Sequence, residues 1–271
     1  MKYKAKTGVV KTGSFSMEYA VFGEGAKFFV MLPGVSLHSV ILSADSIAAA
    51  YEAFGEEYTV YVFERITDIP EGYTVSDMAD DTASALQDLG ISGAYVFGAS
   101  QGGMTAQLLA ARYPSLVKKA VLGSTMLKES PFAADCFDGF IKAVRSGDVR
   151  AVNRAFFEKI YPEDYLKKYA AAFRLLETQG TPEEMCRFLR ELEAMRGFDA
   201  SMEDKNIVCP VLVIGDTSDK ILPPEASPEL AAHLGAELFM YTGFGHAVYD
   251  TAPDYKEKIK EFFTKSEETA T

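Results

Sequence analysis

The chain has 271 residues, and its 27 Lys+Arg against 39 Asp+Glu leave a formal net charge of −12. A nucleic-acid partner needs a basic footprint that displaces counterions, and an anionic membrane surface repels so acidic a chain, so both are disfavoured. A hydrophobic fraction of 48% with 24% charged residues argues against disorder and leaves ample material for a core.

Cys136, Cys186 and Cys209 are odd in number and scattered, with no CxxC or CxxH spacing. That argues against a disulfide framework or a zinc site and for a reducing compartment. The basic start, Met1 to Thr7, has no apolar stretch behind it, and no run of eighteen apolar residues follows anywhere. The expectation is a cytoplasmic protein without a membrane segment.

In chain order, residues 27–32 form a short apolar run stopped by Pro33-Gly34, and residues 58–63 are rich in β-branched and aromatic side chains. Val75, Met78, Ala79, Thr82, Ala83, Leu86 and Leu89 recur at three and four, and Thr74 with Asp77 predicts the cap of that helix. Residues 94–97 end at Gly98 as a second apolar run of strand type. Met104, Leu108 and Ala111 predict a helix that stops near Pro114. Residues 119–122 end at Gly123, residues 208–214 at Gly215, and residues 237–241 run towards Gly243. Pro253 suits a first helical turn before Tyr255, Ile259, Phe262 and Phe263, and the polar residues from 266 on are expected to fray. Continuous apolar runs suit strands buried on both faces, and their alternation with helices predicts a doubly wound, mostly parallel α/β sheet.

From 128 to 205 only helical patterns appear. Phe137, Phe140, Ile141 and Val144 form one stripe, and Phe156, Phe157 and Ile160 a second. Tyr165, Tyr169, Phe173 and Leu176 form a third, and Met185, Phe188, Leu189 and Leu192 a fourth. The expected organisation is a core of residues 1–127 plus 206–271, with 128–205 inserted as an all-helical cap, or lid.

The sharpest local feature is Gly98-Ala99-Ser100-Gln101-Gly102-Gly103, between a predicted strand and a predicted helix. A serine on such a turn sits at a helix N-terminus, where free N–H groups and the dipole favour an oxyanion. The stretch lacks the order of a dinucleotide fingerprint and the lysine of a phosphate loop. A serine hydroxyl needs a base, and the base an orienter. Of His38, His233 and His246, His233 reads as a capping or surface residue near a helix end. His246 follows the last strand in Gly243-Phe244-Gly245-His246. Asp216 and Asp219 compete as the acid in the loop after the preceding strand. Asp219 lies deeper and four residues before Pro223. Asp216, nearer the strand, suits a tie to backbone N–H groups.

These motifs resemble the α/β-hydrolase superfamily, its capped esterase and lipase-like branch, over nearly the whole chain. Leu32-Pro33-Gly34-Val35 resembles the oxyanion loop, Gly98 to Gly103 the nucleophile elbow, Asp219 with Pro223 the acid loop, and Gly245-His246 with Pro253 the histidine loop. Proline stands where relatives often carry histidine before the oxyanion-loop glycine. Glu64-Arg65-Ile66-Thr67-Asp68-Ile69-Pro70 replaces their glycine-rich loop. The resemblance implies a triad of Ser100, His246 and Asp219, an oxyanion hole of the Val35 and Gln101 N–H groups, and no metal or cofactor. The expected substrate is a small, largely apolar carboxylic ester or thioester, bounded by Met126, Phe132, Phe140 and His38. Carbon–carbon hydrolases, enol-lactonases and cofactor-free perhydrolases share the core. A small-molecule receptor on the same fold is an alternative of another class. Exposed cap residues could form a homodimer.

Overall fold

A computed structural model describes residues 2–265; the polar tail from 266 lies outside them. Eight strands form one sheet: β1 (Lys6–Lys11), β2 (Ser16–Phe22), β3 (Lys27–Leu32), β4 (Tyr58–Ile66), β5 (Ala94–Ala99), β6 (Val117–Gly123), β7 (Val211–Asp216) and β8 (Glu237–Tyr241). Their spatial order is β1-β2-β4-β3-β5-β6-β7-β8. Only β2 runs against the rest, pairing antiparallel with β1 and with β4. All other neighbours are parallel.

The helices are α1 (Ala44–Ala50), α2 (Val75–Asp88), α3 (Gln101–Arg112), α4 (Pro131–Arg145), α5 (Val149–Ile160), α6 (Glu163–Lys168), α7 (Ala170–Leu176), α8 (Pro182–Ala194), α9 (Ala226–Leu234), α10 (Val248–Thr251) and α11 (Tyr255–Thr264). Side chains of β3 alternate between two cores, as the pleat requires. Val30 and Leu32 join a cluster with α2, α3 and α9, whereas Phe29 and Met31 join one with α1 and α11. The central β5 and β7 are buried along their whole length, which is why they read as unbroken apolar runs.

Two differences from the sequence reading matter. The hairpin β1–β2 is added at one edge, where alternating and partly exposed residues carry no apolar run. Strand β4 also continues past Phe63 through Glu64, Arg65 and Ile66, all buried, where a loop was expected.

Helices α4 to α8 all lie between β6 and β7. The ends of this insertion meet in an antiparallel bridge between Lys128 and Asp199. Glu129 N–H donates to Phe198 O at 2.7 Å, and Ala200 N–H to Leu127 O at 3.0 Å. The stripes of α4, α5 and α8 pack into a third apolar cluster with Met104 and Leu108 of α3 and with Ile221 and Ala247. The third predicted stripe is broken at Tyr169 into α6 and α7; the Tyr165 ring stacks on Tyr161 at the end of α5 and meets Phe173 of α7 edge-on. Residues 200–206 return along α3, where Arg112 pairs with Glu203.

Candidate active site

Strand β5 ends at Ala99 and α3 begins at Gln101, so Ser100 alone makes the turn, at φ 53° and ψ −118°. A non-glycine residue held at positive φ is strained, and the surroundings must enforce it. Ser100 N–H donates to Gly123 O at 2.8 Å, and Ser100 O accepts from Gly103 N at 2.9 Å. A Cβ on Gly98 would lie 2.3 Å from Gly102 O, and one on Gly102 would lie 2.0 Å from Leu32 O. Strand, turn and helix therefore close up only with glycine at both positions.

His246 and Asp219 stand on the loops at the carboxyl ends of β8 and β7. His246 Nε2 lies 3.0 Å from Ser100 Oγ, and His246 Nδ1 lies 2.7 Å from Asp219 Oδ2. The other carboxylate oxygen, Oδ1, accepts from Ile221 N–H at 2.7 Å and Leu222 N–H at 3.0 Å. A carboxylate only accepts, so the proton of neutral His246 belongs on Nδ1 and Nε2 is left to accept from the serine hydroxyl. Asp216 takes the other part, accepting from Ser218 N–H at 2.7 Å and Phe244 N–H at 3.0 Å. It ties the acid loop to the histidine loop. His233 lies near the end of α9.

Two further contacts fix the histidine loop. Ser124 Oγ donates to His246 O at 2.7 Å, and Ala247 N–H donates to Ile160 O at the end of α5 at 3.1 Å. Ser124 itself sits at φ 46°. Ser124 belongs to no sequence motif, so the sequence alone does not single it out.

A narrow cavity opens on Ser100 and His246. Gly34 and Val35 form one wall, with Gly34 close enough that a Cβ there would lie 3.2 Å from the serine Cβ. Gln101 opens α3, so its N–H has no partner within the helix and faces the same turn. The roof is apolar: Phe137, Phe140, Phe156, Ile160, Leu192 and Met195 from the inserted helices, with Ile221 and Tyr249 at the sides.

Phe140 thus lines the cavity, while three other expected lining residues lie elsewhere. Met126 is core, its carbonyl accepting from Gln107 Nε2 at 3.2 Å. Phe132 is half-exposed on the first turn of α4, off the stripe that faces inward. The His38 ring is held away by Glu184 of α8, with Nδ1 and Oε1 2.9 Å apart. Tyr249 was missed because α10 is a single turn with no periodicity to read.

Behind the loop of Pro33, Gly34 and Val35 lies a buried charge cluster. Arg65 Nη2 donates to Pro33 O and to Gln101 Oε1, both at 2.8 Å, and its Nε reaches Gln101 Oε1 at 3.2 Å. Gln101 Nε2 donates to Glu191 O on α8 at 2.6 Å. Glu64 accepts from the N–H groups of Val40 and Arg65, with Arg187 Nη1 at 3.2 Å. Burial pushes the Glu64 carboxyl up, but Arg65, Arg187 and the two N–H groups outweigh it and hold it below the usual carboxylate range. Glu191 is fully buried. Its oxygens lie 3.8 Å from Arg65 Nε and 3.3 Å from Arg187 Nη1, without the alignment of hydrogen bonds. Burial raises its carboxyl despite the two guanidiniums.

Among the described residues no group of three or more His, Cys, Asp or Glu could hold a metal ion, and no helix is long and apolar enough to cross a membrane.

The chain is similar to known proteins in sequence and in fold. The profile of the alpha/beta hydrolase fold matches residues 63–159, and a second, described as TAP-like protein, matches residues 183–271. The "Putative carbamate hydrolase RutD" of Pantoea ananatis is 31% identical over 192 residues, 69% of each chain. Its namesake from Serratia proteamaculans is 28% identical over 220 residues, 76% of this chain and 81% of that one. Among solved structures, MGS-M2, an alpha/beta hydrolase enzyme from a Medee basin deep-sea metagenome library, superposes at a TM-score of 0.85 with 23% identity. It covers 96% of this chain and 98% of its own. The enol-lactonase of Burkholderia xenovorans LB400 gives 0.81 with 21% identity, covering 95% and 100%. These two structures share the fold. The chain belongs to the α/β-hydrolase fold family and is by class a hydrolase.

Proposed function

We propose that the protein is a serine hydrolase that cleaves a small, largely apolar carboxylic ester or thioester through an acyl-enzyme on Ser100. The observation that carries this reading is the unbroken chain from Ser100 Oγ through His246 to Asp219, at the floor of an apolar cavity.

Ser100 Oγ attacks the carbonyl carbon as His246 Nε2 takes the hydroxyl proton. Asp219 keeps the imidazole in the productive tautomer and stabilises the imidazolium. The Val35 and Gln101 N–H groups receive the tetrahedral oxyanion. His246 then returns the proton to the leaving alcohol or thiol. In the second half a water, losing its proton to His246, attacks the acyl carbon and frees the acid. General base catalysis of this type contributes about 10²–10⁴-fold, and one oxyanion donor about 10²–10³-fold.

A carbamate is a second reading, supported by the name of the relative that is 31% identical. The same attack on a carbamate ester carbonyl breaks its bond to the alcohol oxygen, which leaves with the proton from His246, and gives a carbamoylated Ser100. The test is turnover of p-nitrophenyl esters of increasing acyl length beside a p-nitrophenyl carbamate, with Ser100→Ala as control. Many turnovers of short esters, lost in the variant, are expected. Carbamate turnover exceeding that of every ester would move the substrate to the second reading. One burst without turnover, or melting stabilised by ligand alone, would favour a receptor.

A further inference from the structure

We propose that Arg65 is a positioning residue for the oxyanion hole, acting through the Gln101 side chain and the Pro33 carbonyl. This rests on the serine-hydrolase reading above. The two expected oxyanion donors sit on different elements, Val35 on the loop after β3 and Gln101 on the first turn of α3. Their separation is fixed only if those segments are fixed to each other, and a misplacement of about 1 Å at a reacting centre can cost about 10²-fold.

One planar guanidinium spans both segments. Arg65 Nη2 bonds Pro33 O, two residues before Val35, and Gln101 Oε1, on the donor residue itself. Gln101 Nε2 passes the restraint on to Glu191 O of α8, so the lid helix, the loop and the elbow meet at one side chain. Glu64 holds the loop further along through Val40 N–H. Arg65 does not line the cavity at Ser100; it faces a separate one behind the loop with Pro33, Glu64 and Gly102. It therefore acts on the reaction through other groups.

Burial makes a bystander role a poor explanation. Glu64, Arg65 and Glu191 are buried, with Arg187 beside them. Taking three charges out of water, with Arg187 partly exposed beside them, costs more than packing apolar side chains of similar volume, so such a cluster is better understood as specifying geometry than as adding stability. Lysine could match the charge of Arg65 but not its fork.

The test uses the full chain, short-ester kinetics and two variants. Arg65→Lys keeps the charge that balances Glu64 and Glu191 and loses the fork. Gln101→Met keeps the backbone N–H and all four charges and cuts the link. Each is expected to lower kcat about 10–100-fold with KM within about threefold, and to slow fluorophosphonate labelling of Ser100 by a similar factor, since the phosphonyl oxygen uses the same hole. A lower melting temperature with unchanged kcat in both variants would overturn the proposal and leave the serine-hydrolase reading intact. A rise in KM alone would also overturn it, by pointing to substrate contact. A wild-type protein that neither turns over esters nor labels at Ser100 would overturn both.

Discussion

Asp219 and Asp216 stand three positions apart in one loop, and their surroundings give them different work. Asp219 offers one oxygen to His246 and the other to two N–H groups of its own loop. Asp219→Asn retains an acceptor for those N–H groups but presents an amide to Nδ1 and favours the wrong tautomer. The expected result is a loss of about 10⁴ in kcat with little change in melting temperature. Asp216→Ala instead strips Phe244 N–H of its partner and frees the histidine loop. It should cost about 1–3 kcal/mol of stability, read by denaturant melting, with a smaller kinetic loss than Asp219→Asn. The order reversed would exchange the two roles. The choice between these aspartates was legible from depth in the loop, and the structure sets Asp219 on His246. What single residues hid was the buried cluster. Glu64-Arg65 stands in the stretch that reads as a loop, and Arg187 and Glu191, four apart on α8, lie between the apolar positions of its stripe and carry no motif.

At the scale of elements, what was legible follows burial. Strands β3 and β5 and the capped helix α2 could be read because their buried environment imposes one strong pattern. Thr74 Oγ1 accepts from Asp77 N–H, and Asp77 Oδ2 from Thr74 N–H, as the four residues suggested. Strands β1 and β2 carry weaker alternation at an open edge, and α10 is too short to have a period. The elbow was legible because its glycines are dictated by contact. Gly102→Ala places a Cβ against the Leu32 carbonyl, where only backbone could give way. A cooperative loss of melting temperature together with loss of Ser100 labelling is expected. A stable, fully labelled variant would mean that β3 and α3 do not approach as closely as described.

For the whole molecule, the inserted helices α4 to α8 supply the apolar roof of the cavity, so substitutions there should trade stability for acyl length. Phe140→Ala removes a ring that packs on Phe156 and faces Ser100 across the cavity. It should cost about 3–5 kcal/mol and shift the preferred ester towards longer acyl chains. Stability against pH has an identifiable contributor in the segment that returns from the lid. Asp204 is buried, its oxygens unpartnered, and burial pushes its carboxyl up to about 7. The folded state then binds the Asp204 proton more tightly than the unfolded state. Its contribution is fully present below the ordinary carboxylate range and lost as pH rises through about 7. Asp204→Asn should raise the melting temperature near pH 8 and leave it nearly unchanged near pH 4. A fall at both would show that the carboxyl is bound rather than stranded. The net charge of −12 belongs to this scale too, as a solvated surface over an apolar site.

Under the proposed function Ser100 is the acylated nucleophile. Intact-mass measurement after incubation with a fluorophosphonate, followed by peptide mapping, tests it most directly. One adduct per chain on the peptide containing Ser100, absent from Ser100→Ala, is the expected result. A wild-type chain that takes no adduct, or a Ser100→Ala chain that labels to the same extent, would contradict it.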